Sequence, residues 1–162
     1  MARRSLFVPV VLALAVFVAA CEDDETGPDA ETFSATLTGA AERPNPVTTN
    51  ATGAASFTVD GQTVDFTITA QNIQNATAAH IHGPADANAA TGVLVTLFAG
   101  NPPVNVANGT LVTGTFPSAQ FTIRDGVSVD SVLNLMRDGL AYVNVHTSAN
   151  QGGEIRGQIQ DN

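Results

Sequence analysis

Three histidines are the side chains in this 162-residue chain whose type and spacing best suit chemistry. Two stand in Ala79-His80-Ile81-His82-Gly83-Pro84-Ala85, and the third in Tyr142-Val143-Asn144-Val145-His146-Thr147. Strand residues two apart point to one face. His80 and His82 are therefore neighbours by spacing alone, with Ala79 and Ile81 turned to the other face, the core. A neutral imidazole is a nitrogen ligand that suits copper and zinc. If the fold brings His146 beside the other two, three imidazoles can bind a transition-metal ion and leave one coordination position open. Glu154 is then the candidate to orient one ring through its free N–H. A ligand-free reading uses the same residues. Tyr142, Asn144, Glu154 and Arg156 form a hydrogen-bonded ladder with the histidines on an outward sheet face, with Glu154 and Arg156 ion-paired to a neighbouring strand. Both readings stand. No catalytic residue is assigned, because no Ser or Cys has a recognisable base and no acidic pair declares itself. Asp60 and Asp125 each precede Gly and suit turns.

The elements that must position these residues read as strands. From Phe33 onward apolar and polar residues alternate at period two. Phe33, Ala35 and Leu37 make one face of a first strand. Gly53 to Val59 and Gln62 to Ala70 read as a hairpin across Asp60-Gly61, which would set Phe57 opposite Val64, Ala55 opposite Phe66 and Gly53 opposite Ile68. Further strands are expected at Thr77 to His82, Gly92 to Phe98 (buried on both faces), Thr110 to Phe116 and Ala119 to Arg124. Leu140 to Thr147 and Glu154 to Gln160 close the chain as a second hairpin, with Val143, Val145, Ile155 and Ile159 inward. One short helix is expected near 129–137, capped by Ser128 and ended by Gly139. Arg43-Pro44-Asn45-Pro46 and Asn101-Pro102-Pro103 mark loops. Many short strands punctuated by Gly, Pro and Asn predict an all-β fold, a β-sandwich or Greek-key barrel.

Composition narrows the setting. Hydrophobic residues make up 44% and charged residues 13%, which fits one folded domain with a core. The net charge is -9 and there is no Lys, so a folded surface that grips nucleic acid is not expected. One Cys excludes a disulfide framework within the chain. Residues 1–20 begin with Arg3-Arg4 and continue in an apolar run too short to span a bilayer comfortably, the pattern of a signal peptide. The run ends in Val18-Ala19-Ala20-Cys21, which resembles the lipobox of bacterial lipoproteins and implies cleavage before Cys21 and lipidation of its thiol. Residues 21–31 then read as the lipidated Cys and an acidic tether, and residues 32–162 as the folded domain. The expected place is the cell envelope, anchored by lipid at an outer membrane or cell surface. Glu22 after the Cys does not look like the Asp that retains such proteins at an inner membrane.

The blocks His80-Ile81-His82-Gly83-Pro84 and Tyr142-Val143-Asn144-Val145-His146-Thr147 with Gly152-Gly153-Glu154-Ile155-Arg156-Gly157 resemble the CHRD domain, the module repeated in chordin and found singly in microbial secreted proteins. The resemblance covers roughly residues 32–160. It implies an immunoglobulin-like or superoxide-dismutase-like β-barrel. Chordin's growth-factor antagonism is not carried over to this chain. His-x-His on an outward β face is also similar to copper ligands of copper/zinc superoxide dismutases. That family's fuller ligand set is missing here, so dismutase activity is not implied. The expected role is binding or adhesion at the envelope, with an unidentified protein or envelope ligand as partner. The alternatives are transition-metal binding at His80, His82 and His146, and a structural envelope protein without ligand. Copper and zinc are the candidate ions, and nothing in the sequence demands a cofactor.

Overall fold

The structure, a computed structural model, describes residues 30–162. The leader at 1–20, Cys21 and the tether up to residue 29 lie outside the described residues. The elements are β1 (Thr32–Thr38), β2 (Thr52–Asp60), β3 (Thr63–His82), β4 (Val93–Phe116), α1 (Val129–Arg137), β5 (Tyr142–Thr147), β6 (Ile155–Gln158) and β7 (Gln160–Asp161). The strands form one sheet in the order β2-β1-β6-β5-β3-β4, and β2 also pairs with β3. That last pairing closes a barrel, with β4 flanking β3 on the outside and β7 continuing along β1. The fold is all-β with one short helix, as the alternation predicts.

β3 makes closure possible. Its first half pairs with β2 and its second half with β5, so one strand serves both sides of the barrel. It turns between them at Asn72 and Asn75, both at positive φ, where the register against β4 slips. Such bulges bend a strand and raise its twist, and Asn tolerates that backbone better than most residues. The Thr77–His82 strand is thus the far end of a longer one. Asn101-Pro102-Pro103 is not a loop, because β4 runs through it. Between the pairs Ala76↔Val104 and Ala78↔Ala99 the β4 side carries three more residues than β3, and the prolines sit in that bulge, where a missing N–H breaks no ladder bond.

The first hairpin keeps its faces but not its turn. The pairs are Phe57↔Phe66, Ala55↔Ile68 and Asp60↔Thr63, so the loop is Gly61-Gln62 rather than Asp60-Gly61. Gly61 takes φ +58 and Gln62 stays negative. Positive φ at the first loop position alone is the demand of a II′ turn, which puts glycine there. Each partner moves by two residues, so Phe57 and Phe66 still face inward. Ala119–Arg124 is not a strand. Ser118 and Phe121 close a tight turn (Ser118 N to Phe121 O, 2.9 Å), and only Ile123 bridges to Val95. Phe121 is drawn from any ladder to pack edge-on against Phe66, centroids 5.0 Å apart and planes at 89°. At the other end of β4, Leu94, Val95 and Leu97 are buried while Val93, Thr96 and Phe98 are only half-buried.

The barrel interior holds Phe33, Leu37, Phe57, Phe66, Ile68, Ile81, Val143, Val145 and Ile155. The helix adds Val129, Val132, Leu133 and Met136 from one face. Ser128 caps it by accepting from Ser131 N, and Gly139 at φ +65 ends it, with Leu140 N donating to Leu135 O at 2.8 Å. The two ends of the described chain meet. Asn162 N donates to Thr32 O, and its side chain bonds Ser34 and Thr32. Glu31 pairs both carboxylate oxygens with Arg137 at the end of the helix. At the opposite end of β1, Thr38 stands across from Arg156.

Candidate metal centre

β3 and β5 carry the centre in adjacent rows. His80 pairs across the ladder with Asn144, His82 with Tyr142, and Ala78 with His146. The period of β5 is as the sequence suggests, with Val143 and Val145 inside and Tyr142, Asn144 and His146 on the other face. All three imidazoles therefore share one face. A ring nitrogen from each lies within 4.8 Å of the other two. Ring centroids stand 4.9 Å apart for His80 and His146, 5.6 Å for His80 and His82, and 6.1 Å for His82 and His146.

The hydrogen bonds fix the tautomers. His82 Nδ1 lies 2.8 Å from Thr91 O, and His146 Nδ1 lies 2.9 Å from Gln151 O. A carbonyl oxygen only accepts, so both Nδ1 atoms carry hydrogen and both Nε2 atoms present lone pairs. His80 Nδ1 is 3.0 Å from His146 Nε2 and donates to it. An ion that took the place of that proton would be met by a nitrogen of each ring, with His80 carrying its hydrogen on Nε2. Backbone carbonyls thus do the orienting that metal-bound histidines need.

Burial keeps the rings neutral. His80 is pushed down to about 4, first by burial and then by the neighbouring His146 and His82. Burial also lowers His82 and His146, against the opposing pull of Thr91 O and Gln151 O. Neutral imidazole is the form that ligates.

The face around them is not a wet surface. Tyr142, Asn144 and Arg156 are buried, Arg156 to 1% exposure. Tyr142 stacks on His82 with centroids 4.9 Å apart and planes within 5°. The Arg156 guanidinium lies 3.5 Å from the Tyr142 centroid on a second contact. Its N–H groups bond Ala89 O at 2.8 Å and Asp86 O at 2.9 Å, and Gln158 Nε2 bonds Ala85 O and Gly139 O. These bonds strap the segment 83–92 over the face, and that strap supplies Thr91 O to His82. The outward surface ladder expected of Tyr142, Asn144 and Arg156 is therefore a covered layer.

Glu154 does not orient a histidine, nor does it pair with Arg156. It accepts from Thr147 Oγ1 at 2.6 Å, Thr49 Oγ1 at 2.8 Å and Asn150 Nδ2 at 3.2 Å. These donors hold its pKa below the usual value against the opposing effect of burial. Its role is to fix the turn 147–154 that carries Gln151 O. Sequence reasoning missed Glu42, a lone acid after Gly39-Ala40-Ala41 with no pattern to mark it. Its carboxyl is 3% exposed, and burial pushes it up to about 7. Arg156, Arg43 and the Asn144 amide pull the other way.

The CHRD domain family model matches residues 33–159, which takes in all but the first residue of β1, the elements β2 to β6 and the three histidines. The chain belongs to the CHRD family. No curated protein and no solved structure matches it. A CHRD domain is an extracellular type of domain, and the match begins at the second residue of β1.

Proposed function

We propose that this CHRD protein is lipid-anchored in the cell envelope and binds a transition-metal ion, copper or zinc, through His80, His82 and His146. One observation carries the metal reading. Three neutral imidazoles converge with two tautomers set by backbone carbonyls, and His82 Nε2 is buried with no hydrogen-bond partner. A buried lone pair without a donor costs stability unless something electrophilic meets it. With bonds of about 2.0–2.1 Å, an ion would draw the rings inward from their present span. Three nitrogens leave one position open, the arrangement of centres that exchange ligands.

The test is thermal unfolding of the purified, metal-stripped chain titrated with copper and with zinc, beside the triple His-to-Ala variant. Stabilisation is expected to saturate, reaching about 2.7 kcal/mol at a hundredfold excess over the dissociation constant. The variant should show none. Equal responses in the two proteins would sink the reading. The anchor is tested separately. The full protein should enter the detergent phase, and Cys21→Ser should return it to water.

A second reading, binding or adhesion, draws on the outer face at the other end of the barrel. There Ser34, Ser56, Thr67 and Thr113 form one row across four strands, exposed except for half-buried Thr67, with Thr36, Ala54, Thr69 and Thr110 in the next. An envelope ligand rich in hydroxyl or amide groups would suit it. Substituting these rows without loss of envelope binding would remove that reading.

A further inference from the structure

Three buried side-chain atoms among the described residues lack a hydrogen-bond partner: His82 Nε2, Asn144 Oδ1 and Glu42 Oε1. They lie in one neighbourhood. Asn144 stands across the ladder from His80 and next to the His82–Tyr142 row. Its Nδ2 turns away, toward Gly152 O at 3.4 Å. The Glu42 carboxyl lies on that same side. A Cβ on Gly153 would collide with both Glu42 Oε1 and Asn144 Nδ2, and Gly153 takes φ +131. Only glycine lets the carboxylate and the amide come together there.

The orientation of the amide follows. Nδ2 turns to Gly152 O, on the side of Gly153 and Glu42, so Oδ1 is left on the histidine side with nothing to accept from. His82 Nε2 lies one row along the same face, is buried without a partner, and by its tautomer is a lone pair as well. Two buried acceptors with no donor between them repel. An ion on the imidazoles satisfies Nε2 but not Oδ1. A water molecule held by that ion satisfies both needs, because the ion takes its oxygen and Asn144 takes a hydrogen.

We propose that the open position of the metal centre holds water, that Asn144 Oδ1 accepts a hydrogen from it, and that Glu42 positions Asn144 to do so. This inference rests on the metal reading above. The ligand class is water or a small anion that displaces it. Asn144 and Glu42 are positioning residues here, since neither needs to touch the ion.

The test uses the full chain in detergent, loaded with Cu(II). Bound copper is counted, and the longitudinal relaxation of bulk-water protons is measured. A water that exchanges on and off Cu(II) speeds that relaxation. The wild type should show the enhancement, and azide should abolish it. Asn144→Leu should keep copper with affinity lower by about tenfold or more, and should lose most of the enhancement. Glu42→Gln should lose part of it, and it carries the same test if Asn144→Leu does not fold. Wild-type enhancement in either folded variant overturns the proposal. So does a wild type whose bound copper gives no enhancement, or an Asn144→Leu that loses copper with no exchanging water in the parent, which would make Asn144 a direct ligand. Failure of the metal reading looks different: the triple His-to-Ala variant would then bind copper as well as the wild type.

Discussion

β3 runs through two regions that share one face of one sheet and end up in opposite states. In its first half Asp65 and Thr69 point outward into water and Thr67 is half-buried, in rows with Ser56, Thr113 and Thr115. Thr67 bonds Thr113 at 2.9 Å, and Thr115 bonds Asp65. In its second half His80 and His82 point from the same face, His82 buried and His80 half-buried, among the buried Tyr142, Asn144 and Arg156. The strand period is the same in both. The difference is the cover: segment 83–92, strapped by Arg156, and the turn 147–154 held by Glu154. Alternation thus decides which face a side chain takes. Whether that face is wet depends on loops that bring carbonyls to meet buried N–H groups.

The comparison can be broken most forcefully at Arg156. Arg156→Leu removes the bonds to Ala89 O and Asp86 O and leaves both carbonyls to find water. Loss of about 3 kcal/mol or more is expected in chemical denaturation, since bonds to a charged group contribute about 1.5–3 kcal/mol each. Segment 83–92 should also become open to hydrogen exchange. A change as small as that of a surface substitution would mean the strap does not depend on Arg156.

Acid should act next most strongly, and with a definite sign. In the metal-free chain His80 sits at about 4 against an ordinary 6.5, with His82 and His146 also lowered. The unfolded chain therefore binds more protons in that window, and stability is present above about pH 6.5 and lost as pH falls toward about 4. A loss on the order of 2 kcal/mol is expected across it. Glu42 works in the opposite sense. Its carboxyl is raised from 4.5 to about 7, so its contribution is present below 4.5 and lost as pH rises through 7. Denaturation curves at several pH values should show the acid loss in the wild type and its disappearance or reversal in the triple His-to-Ala variant. An unchanged slope in that variant would place the titration elsewhere.

The hydroxyl rows should respond least. Thr67→Ala loses one exposed bond, to Thr113, and should stay within about 0.5 kcal/mol of wild type. A larger cost would mean that this region too is a built polar layer.

The sequence was most legible where one element dictates its own pattern. The inward sets Phe33-Ala35-Leu37 and Val143-Val145, the helix with its Ser128 cap and Gly139 stop, and the common face of the three histidines all follow from local periodicity. Turn placement was less so, since Asp60-Gly61 and Gly61-Gln62 preserve the same faces and differ only in which position demands positive φ. The prolines at 102 and 103 read as a loop because a bulge in one strand is visible only against its partner. Ala119–Arg124 alternates like a strand, yet Phe121 is claimed by Phe66. At the centre, the histidines and Arg156 carried a signal, while Glu42, Thr91 and Gln151 carried none. Their parts depend on where loops return, and no spacing along the chain encodes that.

The meeting of Thr32 and Asn162 has one more consequence. Entry and exit lie side by side at one end of the barrel, tied by Asn162 N to Thr32 O, while Thr38 reaches the Arg156 layer at the other. A module built this way can be spliced into a longer polypeptide, or strung in series like beads, with its neighbours crowding only the end where the strands enter and leave. The histidine end would stay clear of its neighbours in every such arrangement.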